Sequence, residues 1–317
     1  MDKSPQVLAY IAGNDWLAGE MQCSFLAAGE YNENYLVFGN PGAYVFRINH
    51  GTQLGLARQV EYEFTVLQAV FPSGVTPGPL HYSLDAGGLG QGVLLMQYLP
   101  GRPLDYARDL DIAADIFARI HALPPDPRLI VQADPVTAIA AESHALIGRY
   151  DGGQYRAVRQ LLLNYHDAIV NLTCTAPTFF TGDSLCMVNT EVNSGNFLIH
   201  SQRSSLIDWE KAVVSSRYQD LAHFLVPTTT LWKTDCRLSE EDKKSFLRAY
   251  RQALDCDISL SELIEKTAFM ERVILLRALS WCYMAYHEYT SKSRTLTSDV
   301  TFNKIVSYLD EAQCFLQ

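Results

Sequence analysis

The sequence predicts an α+β chain in two lobes: a small antiparallel-sheet lobe over residues 1–98, then a larger, mainly helical lobe over residues 99–317. Three observations predict it. Up to Tyr98, short runs of aromatic and aliphatic residues alternate with turn signals, the pattern of half-buried strands. Past Pro100-Gly101, apolar residues recur at helical spacing in longer segments. A chain of 317 residues, 48% apolar and 19% charged, can bury the substantial core that two lobes need.

Taken in order, Ser4-Pro5 with Val7, Leu8 and Ile11 predicts a short helix with Ser4 as N-cap and Pro5 at the first helical position. Residues 21–27, 35–38 and 44–48 read as a three-stranded antiparallel meander, broken at 28–34 (A-G-E-Y-N-E-N) and at 39–42 (G-N-P-G). The third strand carries Arg47 in Y-V-F-R-I, an apolar setting where a cation needs a partner. A helix over 54–70 follows, bearing Glu61 and Glu63, and residues 79–84 and 93–98 read as two more strands. Helices are expected over 109–123, 133–150 and 155–172, from 218 onward, and over 240–254, 259–289 and 297–315.

The formal net charge of -10 argues against a partner with a phosphate backbone, so nucleic acid is not expected. The seven cysteines are scattered without C-x-x-C spacing, which predicts reduced thiols rather than a disulfide framework or a zinc site. The first residues lack a basic segment leading into a long apolar run, and no window has the length of apolar chain that a membrane span requires. The expectation is a soluble cytoplasmic protein with no membrane partner. His121, His144, His166, His200, His223 and His287 form no H-x-x-x-H pair and read as solvated or capping groups. Trp281, Tyr283, Tyr286 and Tyr289, at helical spacing, read as core or the wall of a groove.

The most informative stretch is 188–210, V-N-T-E-V-N-S-G-N-F-L-I-H-S-Q-R-S-S-L-I-D-W-E. It reads as a polar loop, a strand at 197–200, a turn, and a second strand at 206–207 that ends on Asp208. Asn196 enters this hairpin and Asp208 leaves it, so a carbonyl oxygen and a carboxylate lie side by side. That pair suits a hard cation such as Mg2+. Glu191, five residues before Asn196, adds a second acid.

This stretch resembles the catalytic and metal-binding segments of the aminoglycoside phosphotransferase and choline kinase family, a branch of the protein-kinase-like fold. There H-x-D-x-x-x-x-N is followed by a hairpin and I-D-W or I-D-F. Asn189 stands where the family has His, Glu191 where it has the catalytic Asp, and Asn196 and Asp208 where it has the metal ligands. Two of the four positions therefore depart from the pattern. A second register, with Thr181-Gly182-Asp183 as the family's H-G-D, fails because Val188, not Asn, lies five residues beyond Asp183.

The resemblance implies more. The break at 28–34, with Gly29 and Asn34, takes the place of the loop over the nucleotide phosphates. Arg47 stands for the strand lysine that binds them, and Glu63 for the helix acid that orients it. Gln97 to Leu99 become the hinge at the adenine edge, and Asp220 braces the catalytic loop. The implied activity is transfer of the γ-phosphoryl group of ATP or GTP, with Mg2+, to a hydroxyl of a small acceptor, with Glu191 as proton acceptor or orienter. The alternative is a nucleotide-binding pseudokinase without that activity. No D-F-G to A-P-E segment follows Asp208, which argues against a protein substrate, and the absence of G-x-S-x-G argues against a hydrolase.

Overall fold

In the computed structural model, residues 2–175, 180, 182–291 and 299–317 are described. In chain order the elements are α1 (Ser4–Gly13), β1 (Ala18–Ala28), β2 (Asn32–Asn40), β3 (Gly42–Asn49), α2 (Gln59–Val70), β4 (Pro79–Ser83) and β5 (Gly92–Gln97). There follow α3 (Leu110–His121), β6 (Val131–Gln132), α4 (Pro135–Gly148), α5 (Arg156–Thr175), β7 (Leu185–Val188), β8 (Phe197–Leu198), β9 (Ser205–Leu206) and β10 (Val213–Ser216). The chain ends with α6 (Tyr218–Leu225), α7 (Pro227–Lys233), α8 (Glu240–Leu254), α9 (Leu260–Thr290), α10 (Asp299–Asp310) and α11 (Ala312–Phe315). Two compact units result: residues 1–104, 126–130 and 196–213 form one, and residues 105–125, 131–195 and 214–317 the other.

The first unit is built on a five-stranded sheet in the order β1-β2-β3-β5-β4 with antiparallel pairings. Alternation along β2 and β3 sends Tyr35, Val37, Tyr44, Phe46 and Ile48 to one face, where they pack with Val7 and Ile11 of α1. Leu36, Val45 and Arg47 point to the other face, which carries the candidate site. The hairpin β8–β9 belongs to this unit. Its Leu206 amide donates to the Val75 carbonyl (2.8 Å), and Ile199 exchanges backbone hydrogen bonds with Arg102 (2.7 and 3.0 Å). A Cβ on Gly101 would lie 2.8 Å from Leu198, so this close approach of two backbones needs a glycine.

The second unit is mainly helical. Helix α9 runs from Leu260 to Thr290 and packs against α4, α6, α5, α8 and α10, while α3 packs on α8. Its core holds Phe117, Phe224 and Phe246 in mutual ring contact, with centroids 5.0 to 6.1 Å apart. A small sheet, in the order β6-β10-β7, completes it.

Several elements differ from the sequence reading. The helix expected over 54–70 begins only at Gln59, because Thr52 Oγ1 accepts from the amides of Leu54 and Leu56 (3.1 and 3.2 Å) and Gly55 adopts φ +69°, a local turn that outcompetes helix. The break at 28–34 shrinks to residues 29–31, since Asn32, Glu33 and Asn34 pair into β2. Ser4 lies inside α1 rather than at its cap, its amide held by Asp2 Oδ1 at 3.0 Å. The helix expected over 297–315 is interrupted at Glu311, and residues 297 and 298 lie outside the described residues, as does Thr181. Strands β6, β7 and β10 and helix α7 carry no expectation from the sequence.

Candidate active site

The site begins with the placement of one cation. Strand alternation that buries Phe46 and Ile48 on one face puts Arg47 on the other, 6% exposed. Removing a guanidinium from water costs several kcal/mol unless it is paired, as a rough figure. Arg47 has three partners. Nη1 donates to Glu63 Oε1 at 2.5 Å and to Asp208 Oδ1 at 3.0 Å, and Nε donates to Asn34 Oδ1 at 3.0 Å. Glu63, itself 2% exposed, comes from α2; Asn34 is directly opposite Arg47 in the β2–β3 register; Asp208 comes from the end of the hairpin.

Asp208 occupies the left-handed backbone region, φ +66°, which costs energy for a residue other than glycine and is held here by its surroundings. The Ile207 amide donates to the Asn196 carbonyl (2.8 Å), so the two strands are tied where Asp208 leaves, and Trp209 is fully buried with its indole N–H on the Leu206 carbonyl (3.1 Å). Two residues on, Glu210 is 7% exposed, and Asn32 Nδ2 donates to its Oε2.

The electrostatics follow. Burial opposes the charge of Arg47, but Glu63, Asp208 and Glu210 outweigh it and keep the guanidinium protonated. Glu63 is pushed up to about 8: burial dominates, Arg47 counteracts it, and the neighbouring Glu210 and Asp208 carboxylates add to the rise. Three acidic side chains thus surround one buried guanidinium. Asp208 and Glu210 also bring oxygens within 4.8 Å of each other. Oxygen donors with excess negative charge fit a hard divalent cation, and Asn196, at the start of the same hairpin, can supply a further oxygen.

On the same face as Arg47, Leu36, Val45 and Met96 lie side by side across β2, β3 and β5 and form an apolar row next to the Asn34–Arg47 pair. Gly29 belongs to the 29–31 turn, its amide on the Asn32 carbonyl (2.8 Å). At the other end of the sheet the Gln97 amide donates to the Gly78 carbonyl (2.8 Å) and the Tyr98 amide to the Ala43 carbonyl (3.1 Å), whereas Leu99 lies just beyond the strand.

In the helical unit, Asp220 at the start of α6 is fully buried and accepts from the amides of Asn189 and Thr190, both at 2.8 Å. This is the brace expected of Asp220. Asn189 is also fully buried, and its Oδ1 accepts from the Glu191 amide at 3.0 Å, a local turn that sets the direction of the Glu191 backbone. Thr190 has φ +69°. Glu191 is half-buried. His121 is not solvated as expected from the sequence: it is buried, with Nε2 3.3 Å from Asp220 Oδ2 and Nδ1 2.9 Å from the Tyr250 hydroxyl, and burial lowers its pKa. The carboxylate fixes the proton on Nε2, so Tyr250 donates to Nδ1.

Sequence reading missed Glu210, Asn32, Gln59 and the His121–Tyr250 pair. The available signal for Glu210 was an acid directly after a buried aromatic at a strand exit; the carboxamides carried none, because polar residues near turns are ordinary.

A sheet face that carries a strand cation paired with a helix acid, and a hairpin that returns an Asp to that cation, define a kinase-like phosphotransferase fold. The chain belongs to the phosphotransferase enzyme family, which residues 22–257 match. Its fold is similar to that of a Plasmodium vivax ethanolamine kinase (14% identity, TM-score 0.70, covering 97% of this chain and 88% of that one). Similar too are a choline/ethanolamine kinase family protein from Mesorhizobium loti (13% identity, TM-score 0.66, covering 99% and 94%) and the choline kinase LicA from Streptococcus pneumoniae (17% identity, TM-score 0.63, covering 97% and 99%). A comparison of the sequence with curated proteins finds no match. Among the described residues no helix is long and apolar enough to cross a membrane.

Proposed function

We propose that this chain is a small-molecule kinase that transfers the γ-phosphoryl group of ATP or GTP to a hydroxyl of a small, amine-bearing acceptor. The observation that carries the reading is the cluster of Arg47, Glu63, Asn34 and Asp208, in which a buried cation on a strand is held by a buried acid on a helix and by a partly exposed acid from a hairpin. Such a cluster has no apolar packing role that would offset its burial, and it suits polyanionic phosphates accompanied by a divalent cation.

In this reading the Leu36, Val45 and Met96 row covers the base, and the Gln97 to Leu99 segment meets its edge through main-chain atoms. Gly29 and Asn34 flank the phosphates, and Arg47 grips them with its planar fork. Asn196 and Asp208 would hold Mg2+, which would supply positive charge beside the phosphates. Glu63 keeps Arg47 extended into the site. Asn189 and Asp220 shape the loop that presents Glu191, and Glu191 accepts the proton of the attacking hydroxyl. Positioning and charge stabilisation supply most of the rate, as is general for phosphoryl transfer.

The acceptor class rests on the fold: several proteins of similar fold are named choline or ethanolamine kinases.

The test is nucleotide binding and an acceptor screen on wild type, Asp208→Ala and Glu191→Gln. The expected result is Mg2+-dependent stabilisation by ATP or GTP that Asp208→Ala abolishes, with turnover of amino alcohols reduced about 10²-fold or more in Glu191→Gln. Binding without turnover on any acceptor would favour the pseudokinase. No nucleotide effect at all would remove both readings.

A further inference from the structure

Glu210 stands two residues past Asp208, and its surroundings are built rather than incidental. Asn32 Nδ2 donates to Oε2, Gln53 Nε2 reaches Oε1 at 3.5 Å, and Gln59 Nε2 donates to the Glu210 main-chain carbonyl at 2.7 Å. Asn32 is fixed in turn. Its Oδ1 accepts from Asn49 Nδ2 at 2.9 Å, and its carbonyl accepts from the Gly29 amide at 2.8 Å. Gln59 is oriented by Thr52, whose hydroxyl donates to Gln59 Oε1 at 2.5 Å. Asn32, Asn49 and Gln59 are each at least nine-tenths buried.

One carboxylate residue therefore joins three parts of the site. Through Asn32 it reaches the 29–31 turn. Through Gln59 it reaches the first turn of α2, the helix that supplies Glu63, and Tyr62 adds a parallel tie from the same turn by donating to the Ala212 carbonyl at 2.8 Å. Through its own backbone it is continuous with Trp209 and Asp208.

We propose that Glu210 is a positioning residue that clamps the phosphate turn and α2 to the segment presenting Asp208, so that these parts are set before a nucleotide arrives. The inference rests on the kinase reading for the meaning of the turn and of Asp208, but the clamp itself is a property of the empty protein. A buried carboxylate suits this role because a charged acceptor strengthens the hydrogen bonds it receives. The competing role is direct ligation, since a Glu210 oxygen lies within 4.8 Å of an Asp208 oxygen. The two roles differ in what they require: positioning needs an acceptor oxygen for Asn32, whereas ligation needs the negative charge.

The experiment compares wild type with Glu210→Gln, Glu210→Ala, Asn32→Ala and the Asn32→Ala/Glu210→Ala double variant. Two quantities are read: the unfolding midpoint without nucleotide or metal, and the affinity for ATP as a function of Mg2+ concentration. Glu210→Ala and Asn32→Ala are each expected to lower the midpoint and to weaken Mg2+-ATP binding about tenfold, the scale of a lost buried hydrogen bond. The double variant should be no worse than the poorer single one, because both remove the same link. Glu210→Gln retains an acceptor oxygen and should stay within about twofold of wild type in affinity.

Additive losses in the double variant would overturn the clamp. So would a Glu210→Gln protein that needs as much extra Mg2+ as Glu210→Ala while Asn32→Ala binds normally, which would make Glu210 a ligand. If Glu210→Ala fails to fold, Asn32→Ala and Glu210→Gln still separate the two roles. If wild type binds no nucleotide, the kinase reading falls, and the coupling in the unfolding midpoints still decides whether the clamp exists.

Discussion

In the proposed reading Glu191 takes the place of a catalytic Asp and carries its carboxylate one methylene further out, on a loop held by its own hydrogen bonds. Asn189 is fully buried and accepts from the Glu191 amide, and Asp220 accepts from the two amides before it. The shorter Asp side chain would draw the carboxylate back from the place where this backbone presents it. Glu191→Asp, although it installs the residue that the resemblance implies here, is therefore expected to lower kcat about 10²-fold with little change in nucleotide affinity, since a shift of about 1 Å at a reacting group has that effect. A rise in kcat would show instead that Glu191 is a weakened base. Asn189→His, likewise the residue that the resemblance implies, places a larger ring in a fully buried site and should destabilise the fold by about 1–3 kcal/mol. Urea unfolding measures it.

At the level of elements, the strand β3 and helix α2 are joined by the Arg47–Glu63 pair, and the acid has an unusual proton affinity. Its folded pKa of about 8 lies above the ordinary carboxylate value of 4.5. The sign follows from proton linkage: between those two values the folded state keeps a proton that the unfolded state has lost, so this contribution to stability is fully present below pH 4.5 and is lost as pH rises towards 8. Wild-type stability, measured without ligand, should thus fall between roughly pH 5 and pH 8 relative to Glu63→Gln, whose stability lacks this slope. An identical pH dependence in both proteins would refute the assignment. Elsewhere, α8 begins with a reciprocal capping box: Ser239 Oγ accepts from the Asp242 amide, and Asp242 Oδ2 accepts from the Ser239 amide. Ser239→Ala is expected to cost about 1 kcal/mol, the usual size of a lost N-cap, and to leave nucleotide binding unchanged.

For the molecule as a whole, the net charge of -10 sets the field that an acceptor meets. If the acceptor is an amine, kcat/KM should fall as ionic strength rises from about 0.01 to 0.15 M, because screening shortens the reach of the acidic surface from about 30 Å to 8 Å. A neutral acceptor should show no such trend. Stopped-flow or steady-state rates on paired charged and uncharged amino alcohols make the comparison.

The linear chain carried much of this. Period-2 runs before residue 98 and helical periods after it announced an α+β protein, and α8 ends where its pattern ends, because local periodicity and capping depend on neighbours in sequence. Arg47 stood out as a cation in an apolar strand, and Asn196 and Asp208 as polar residues at either end of a short hairpin. What the chain could not reveal depends on contacts between distant segments. The recruitment of Asn32 and Asn34 into β2 and the burial of His121 against Asp220 each involve partners whose proximity no local pattern encodes, whereas the turn at Thr52 that delays α2 is local, a side-chain competitor that the helical spacing of its apolar neighbours masks. Glu210 is the clearest case. In sequence it is one acid after a tryptophan, and only folding brings Asn32 and Gln59, 178 and 151 residues away, to its carboxylate and carbonyl. A buried charge takes its role from the donors that fold around it, and those are set by packing in three dimensions.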